Sequence, residues 1–186
     1  MDHLHLTNQY LIAMPQLADP NFHHTTTYIC EHNDEGAMGL IINRPLEICL
    51  AEVLSQIDIE VSDPLLANTP VYYGGPVQEE RGFVLHQPVT IWESTVVISD
   101  KLAITTSKDI LIKIAEGSGP SRYLVTLGYA GWGAGQLEME LSENTWLNGP
   151  ADTAIMFDTP IEERWASAAK MIGIDLNLLS ADSGHA

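Results

Sequence analysis

A chain of 186 residues, 45% hydrophobic and 18% charged, is long enough for one domain with a sizeable core and is neither disordered nor repetitive in composition. Its 25 acidic residues against 8 basic ones leave a formal net charge of −17, which repels nucleic acid and anionic lipid. The basic residues are dispersed, with no pair closer than Lys108 and Lys113, so no linear basic patch exists and no direct nucleic-acid partner is expected.

The first eight residues carry no basic region, and no apolar run approaches the ~20 residues of a membrane-spanning helix. The expectation is a cytoplasmic protein with no membrane partner. Tyr10 to Met14 reads as a buried strand ended by Pro15, and Asp19 to Phe22 as a turn. Thr25 to Glu31 and Ala37 to Asn43 are β-rich runs joined by Asn33-Asp34-Glu35-Gly36, a hairpin signal. Leu46, Cys49, Leu50, Val53, Leu54 and Ile57 fall at helical spacing, although Leu46 to Cys49 also fits a strand extension.

Four short strands follow at Val71 to Tyr73, Gly82 to His86, Thr95 to Ser99 and Leu102 to Thr106. Ser107 and Asp109 mark a helix start and Gly117 its end. Arg122 to Gly128 reads as a strand, Gln136 to Glu143 as a short helix, and a strand pair is expected across Asn148-Gly149-Pro150. Thr159-Pro160-Ile161-Glu162 has the form of a capping box opening a last helix stopped by Gly173. Strands cluster first and then mix with helices, which indicates α+β. Cys30 and Cys49 lie in apolar runs with no metal or redox spacing and read as buried, inert thiols.

The most unusual stretch runs from Gly128 through Tyr129, Ala130, Gly131, Trp132, Gly133, Ala134, Gly135, Gln136 and Leu137 to Glu138. Glycines crowd where a backbone needs positive φ or approaches another segment closely. With a strand before it, a helix after it and a further strand at Thr153 to Phe157, the stretch imitates the first unit of a dinucleotide fold. The third glycine is replaced by Gln136, however, and Glu138 stands where pyrophosphate would sit. Packing of the glycines against a neighbouring backbone is the better reading, and no cofactor is expected.

His23, His24, His32 and His86, with Glu31, Asp34 and Glu35, supply ligand types without ligand spacing, so no metal is expected. No nucleophile elbow is present. Asn43-Arg44-Pro45, at a break between elements, can present a fixed guanidinium to a carboxylate or phosphate. The alternative is an internal ion pair, or bonds to loop carbonyls. Glu138, Glu140 and Glu143 offer either a carboxylate pair or a solvated helix face.

These residues also carry a resemblance. Ala13-Met14-Pro15 with Asp19, Pro20 and Phe22, the run from Tyr28 to His32, the run from Gly36 to Pro45, Gly74-Gly75-Pro76-Val77, and the 128–138 stretch with Trp146 resemble the AlgH/YqgE family of bacterial proteins, in order and over nearly the whole chain. Cys49 departs, standing where members often carry a helix-capping Thr. The resemblance implies one domain over residues 1–186, α+β, with a branched mixed β-sheet that includes a small closed barrel and is surrounded by helices. It implies no settled activity. Members are sometimes labelled transcriptional regulators, but this charge and the lack of a helix-turn-helix signature weigh against direct DNA binding.

Two functional classes follow. The first is a binding or regulatory module that meets a protein partner or small ligand at a surface built from Asn43-Arg44-Pro45, Gly74-Gly75-Pro76 and the 128–138 stretch. Its candidate residues are Asn43, Arg44, Gly75, His86, Trp132, Gln136 and Glu138. The alternative is an enzyme of hydrolase type, with Glu138 or His86 as acid–base and Arg44 as anion clamp. The oligomeric state is left open by the sequence.

Overall fold

The computed structural model describes residues 5–183; residues 1–4, the start of the stretch expected to carry no basic region, and 184–186 lie outside the described residues. Gln9–Ala13 (β1), Thr26–Asn33 (β2) and Gly36–Ile41 (β3) run antiparallel in succession, with Asn33 opposite Gly36 across the expected tight hairpin. Pro45–Cys49 (β4) then leads directly into Leu50–Gln56 (α1). Leu46 to Cys49 is therefore strand, because Pro70–Tyr73 (β5) offers it a partner and the helix starts only at Leu50. Between them lies an unforeseen short helix, Pro64–Ala67 (α2), whose first turn is capped by Asp63 accepting from the Leu65 N–H at 2.9 Å.

The chain continues through Val77–Gln87 (β6), Thr95–Val97 (β7), Ala103–Thr105 (β8), Lys108–Ala115 (α3) and Arg122–Gly133 (β9). The last elements are Gln136–Ser142 (α4), Trp146–Pro150 (β10), Thr153–Phe157 (α5), a 3-10 turn at Ile161–Glu163, Arg164–Met171 (α6) and Leu176–Ser183 (α7). The strand order is β10-β1-β2-β3-β9-β6-β8-β7, and β4 and β5 branch off it. The result is a mixed α+β fold in which a curled, largely antiparallel half-barrel sheet is surrounded by helices.

The branch point is β9. Its end, from Ala130 to Gly133, pairs with β3, its body pairs antiparallel with β6, and Val125 to Leu127 also run parallel to β5. Because the Ile41 N–H at the end of β3 donates to the carbonyl of Gly74, just after β5, the path β3–β9–β5 returns to β3 and closes a small circuit, with β4 attached through β5.

Three apolar clusters fill the fold. One lies on the concave sheet face, where Leu40, Phe83, Leu85 and Leu124 meet Met156, Ala168, Ala169 and Leu176 of α5 to α7. A second joins Leu11, Ile29, Trp132, Leu137 and Trp146. The third packs α1 and α3 on the opposite face through Leu50, Leu54, Ile110 and Ile114 against Val71, Val84 and Val125. No helix among the described residues is long and apolar enough to cross a membrane.

Several expected elements change. The 128–138 stretch is not mainly a connection, because β9 runs on to Gly133 and only Ala134 and Gly135 turn. Residues 146–150 are one strand, with Gly149 opposite Tyr10 and no turn at Asn148. Thr153 to Phe157 is helix, because Asp152 accepts from the Ala154 N–H at 2.7 Å and so caps a helical turn. The capping box at Thr159 does not form: the Thr159 hydroxyl donates to the Ala154 carbonyl at the end of α5, and no side chain caps the following turn. The faces of α3 and α6 agree with their spacing, with Ile110, Ile114, Ala168 and Ala169 buried. Cys49 is only half-buried, with its thiol 3.5 Å from Glu52 Oε1, whereas Cys30 is buried as expected.

Candidate functional site

Asn43 and Arg44 follow the end of β3 and are spent on the loop between β1 and β2. Asn43 accepts from the Thr26 N–H at 2.8 Å and donates to the His24 carbonyl at 2.9 Å. The Arg44 guanidinium donates to the carbonyls of Pro20 at 2.8 Å, Asn21 at 2.6 Å and His23 at 2.6 Å. Bonds to loop carbonyls are therefore what this arginine makes. A planar fork with five N–H groups suits three converging carbonyls, which an ammonium would serve less well. The clasp fixes Phe22, whose ring lies 6.1 Å from Trp132 and 5.5 Å, edge-on, from Trp146.

Trp132 and Trp146 are buried on β9 and β10, and both indole N–H groups donate to Glu140 Oε1, at 3.2 and 3.0 Å. The other oxygen, Oε2, accepts from the Gln136 amide at 2.9 Å, while Gln136 Oε1 accepts from the Gly133 N–H at 2.9 Å. Glu140 is thus the centre of a network, not a solvated helix residue. Indole donors need an acceptor once buried, and one carboxylate serves both.

Glu138, two residues earlier on α4, pairs with the buried His32 of β2. His32 Nδ1 accepts from the Leu6 N–H at 3.0 Å, so the proton sits on Nε2 and is donated to Glu138. Both ring nitrogens are thus engaged by protein partners. Burial works to raise the Glu138 carboxyl, but its own backbone N–H and His32 outweigh this and hold it below the ordinary value.

The glycine pairs explain the backbone. A Cβ on Gly128, at φ +77°, would lie 2.4 Å from the Gly75 carbonyl oxygen, and one on Gly75 would lie 2.1 Å from the Tyr129 carbonyl carbon. The turn between β5 and β6 therefore presses onto β9 at a distance that only glycine permits. His86 stands apart. It is fully buried in β6, with Nδ1 3.1 Å from the Pro88 carbonyl and Nε2 2.7 Å from Thr105 Oγ1. Burial lowers its pKa, and the Pro88 bond only partly opposes that.

The structure thus gathers Asn43, Arg44, Trp132, Gln136 and Glu138 around the β1–β2 loop and α4, with Gly75 against the same strand, and leaves His86 in another part of the sheet. Arg44, His86 and Glu138 bond to three separate sets of neighbours.

Beside this network the concave face opens into a cleft of about 1000 Å³. The helices α5 to α7 cover one end of that face and leave the other open. The floor is Cys30, Met38, Phe83, Ile104 and Tyr129, and Trp132 forms part of a wall. Glu31, Glu35, Arg81, Glu93 and Thr95 supply polar groups around it. Two irregularities shape it. A bulge at Cys30 breaks the β2–β3 pairing between Ile29 and Glu31. On β6, residues 78–81 bulge out between the Val77–Tyr129 and Gly82–Leu127 pairs, which brings the Arg81 guanidinium 5.1 Å from the centre of the Phe83 ring. Burial pushes the Cys30 thiol well above its ordinary value, so it is an apolar floor group and not a nucleophile.

The floor residues escaped the sequence reading because they come from five strands spread along the chain. The usable signal was alternation, since Phe83 and Tyr129 occupy inward positions on neighbouring strands. Among the described residues no group of three or more His, Cys, Asp or Glu is placed to hold a metal.

A family model described as AlgH-like matches residues 10–177. A UPF0301 protein of Cupriavidus metallidurans is 56% identical over 183 residues, covering 98% of this chain and 96% of its own. One from Hahella chejuensis is 58% identical over 181 residues, covering 97% and 96%. The solution structure of the AlgH protein from Pseudomonas aeruginosa superposes with a TM-score of 0.81 at 52% identity, covering 100% of this chain and 98% of that one. A crystal structure of a Corynebacterium diphtheriae protein shares the fold at 18% identity, with a TM-score of 0.75 over 97% of this chain and 94% of the other.

Proposed function

The chain belongs to the AlgH-like family, and from that premise we propose that it works as a binding module, receiving a protein partner or small ligand at the open end of its half-barrel. The observation that carries this reading is the cleft of about 1000 Å³ with an apolar floor and a few polar groups at its rim. That volume lies at the upper end of the ~300–1,000 Å³ of typical ligand sites. The network beside it has a supporting role. Arg44 and Asn43 place the loop that carries Phe22, Phe22 and Glu140 hold Trp132, and Gly75 sets the path of the strand that carries Val77 into the cleft wall.

Arg44, His86 and Glu138 bond to different neighbours, so nothing comparable supports the hydrolase alternative. The charge of −17 weighs against a nucleic acid as the occupant. Free cysteines, one of them buried and unreactive, support placing this activity in the reducing cytoplasm.

The test is backbone NMR of the labelled protein against a collection of metabolites and short peptides. Binding at the cleft moves the resonances of Cys30, Met38, Phe83 and Tyr129, and Met38→Trp, which fills the cleft, removes the response. Ligands that move other surfaces and leave these four unmoved overturn the reading.

A further inference from the structure

One wall of the cleft is the sheet's open edge. Glu93, Ser94, Thr95 and Val96 line it, and β7 is the last strand in the order. The bonds across β7 and β8 fix which backbone groups remain free. The Thr106 N–H donates to the Ser94 carbonyl at 3.0 Å and the Ile98 N–H to the Leu102 carbonyl at 3.0 Å, while Val96 stands opposite Ile104. In an antiparallel pair such positions alternate, so residues 94, 96 and 98 bond inward. Thr95 and Val97 therefore turn their N–H and C=O groups away from β8. Val96, opposite Ile104, shares the cleft face and is 63% exposed; Val97 is 51% exposed.

The sheet's other free edges are closed to pairing. β10 ends in Pro150 and has Ile172 packed close against Gly149. β4 begins with Pro45 and loses its register before Cys49. Proline and broken register are the usual protections of an edge, and β7 has neither.

We infer that β7 is a docking edge for an extended, basic segment of a partner protein, which adds as a further strand and lowers alternate side chains into the cleft. This rests on the cleft reading above and names its occupant. The main-chain groups of Thr95 and Val97 supply two residues of ladder, and the apolar floor takes an aliphatic side chain. The rim decides the charge. Glu31, Glu35 and Glu93 face one cation, Arg81, which already lies over Phe83 and 3.3 Å from Gln78 Oε1. A second copy of the chain is disfavoured as occupant, because it brings another −17 charges and a three-residue edge buries far too little for a stable dimer.

The experiment titrates the labelled protein with a capped peptide of alternating lysine and valine, seven residues long, and with its glutamate counterpart. The lysine peptide is expected to slow hydrogen exchange at the Thr95 and Val97 amides and to shift Phe83 and Tyr129. Val97→Pro removes an outward N–H and no bond to β8, so it weakens binding by about ten-fold. Val96→Lys, which puts a cation on the cleft face, does the same if the proline disturbs the strand. Melting curves of both variants verify the fold. Equal binding of the glutamate peptide, unchanged exchange at Thr95 and Val97, or dimerisation through β7 overturns the inference. If metabolites still occupy the floor in that case, the cleft reading stands and only the strand-addition inference fails. If nothing moves the floor residues, both fall.

Discussion

Replacing Glu140 by alanine leaves two buried indole N–H groups without an acceptor, since Trp132 is 6% and Trp146 4% exposed and both donate to the same carboxylate oxygen. A stranded buried donor costs about 1–3 kcal/mol, so the pair costs about 2–6 kcal/mol. In a chain of this length each kcal/mol lowers the melting temperature by roughly 2–4 °C, which predicts a fall of roughly 4–24 °C. Glu140→Gln keeps one acceptor for the indoles and disturbs only the bond from Gln136, so it costs less. Thermal unfolding followed by tryptophan fluorescence reads both effects, because the affected groups are the chromophores. In a Trp146→Phe background one of the two donors is already gone, and the cost of Glu140→Ala should fall by about half. A Glu140→Ala protein that melts within about 2 °C of the parent, or a cost unchanged in that background, refutes the claim that this carboxylate anchors the two indoles.

Arg44→Ala removes three bonds to carbonyls, of which the Asn21 bond is the one partly buried, so it is expected to cost about 1–3 kcal/mol and to speed proteolysis within residues 19–24. An unchanged melting temperature and cleavage pattern would show the clasp to be idle. Gly128→Ala puts a Cβ at φ +77° against the Gly75 carbonyl, and backbone strain alone predicts a loss of about 1–3 kcal/mol in denaturant titration. Full stability in that variant would contradict the close approach of the β5–β6 turn to β9. Glu138 is held below its ordinary pKa of 4.5, so its stabilisation is complete above that value and lost as pH falls through the lower, folded one. The gap in melting temperature between the parent and Glu138→Gln should therefore be steady near neutral pH and shrink as the solution is acidified through the lowered pKa; a gap that persists in acid counts against the His32 pairing.

Local signals carried the elements whose cause is local. The Asn33-to-Gly36 turn, the buried faces of α3 and α6, and the stop at Gly173 rest on neighbours in sequence. The density of glycines was readable as close backbone approach, and Gly75 against Gly128 is that approach. Where a distant group intervened, the local rule failed. Thr159 has the sequence of a cap, yet its hydroxyl turns back to the Ala154 carbonyl. Leu46 to Cys49 fits a helix start or a strand extension equally well by spacing, and only β5 decides for the strand. Glu140 looks like any exposed helical glutamate until β9 and β10 bring two indoles to it. The cleft was the least legible feature, because Cys30, Met38, Phe83, Ile104 and Tyr129 become neighbours only through the sheet's long-range pairing. For the same reason the sequence left Arg44 between a presented guanidinium and bonds to loop carbonyls, because the carbonyls it meets lie more than twenty positions upstream.

The position of β9 at the junction of β3, β5 and β6 has a consequence for synthesis on the ribosome. The strands that precede it emerge from the exit tunnel first and have no shared partner while residues 122–133 are still being added. The hairpin of β2 and β3 can form alone, but its outer edge waits, and so do the apolar faces of β5 and β6. Nascent chains with such unpaired edges are the ones that chaperones engage and that aggregate when synthesis outpaces protection. Stalling translation before residue 122 has left the tunnel should yield a protease-sensitive chain, and releasing about a dozen residues more should convert it in one step, since a single strand completes three pairings together.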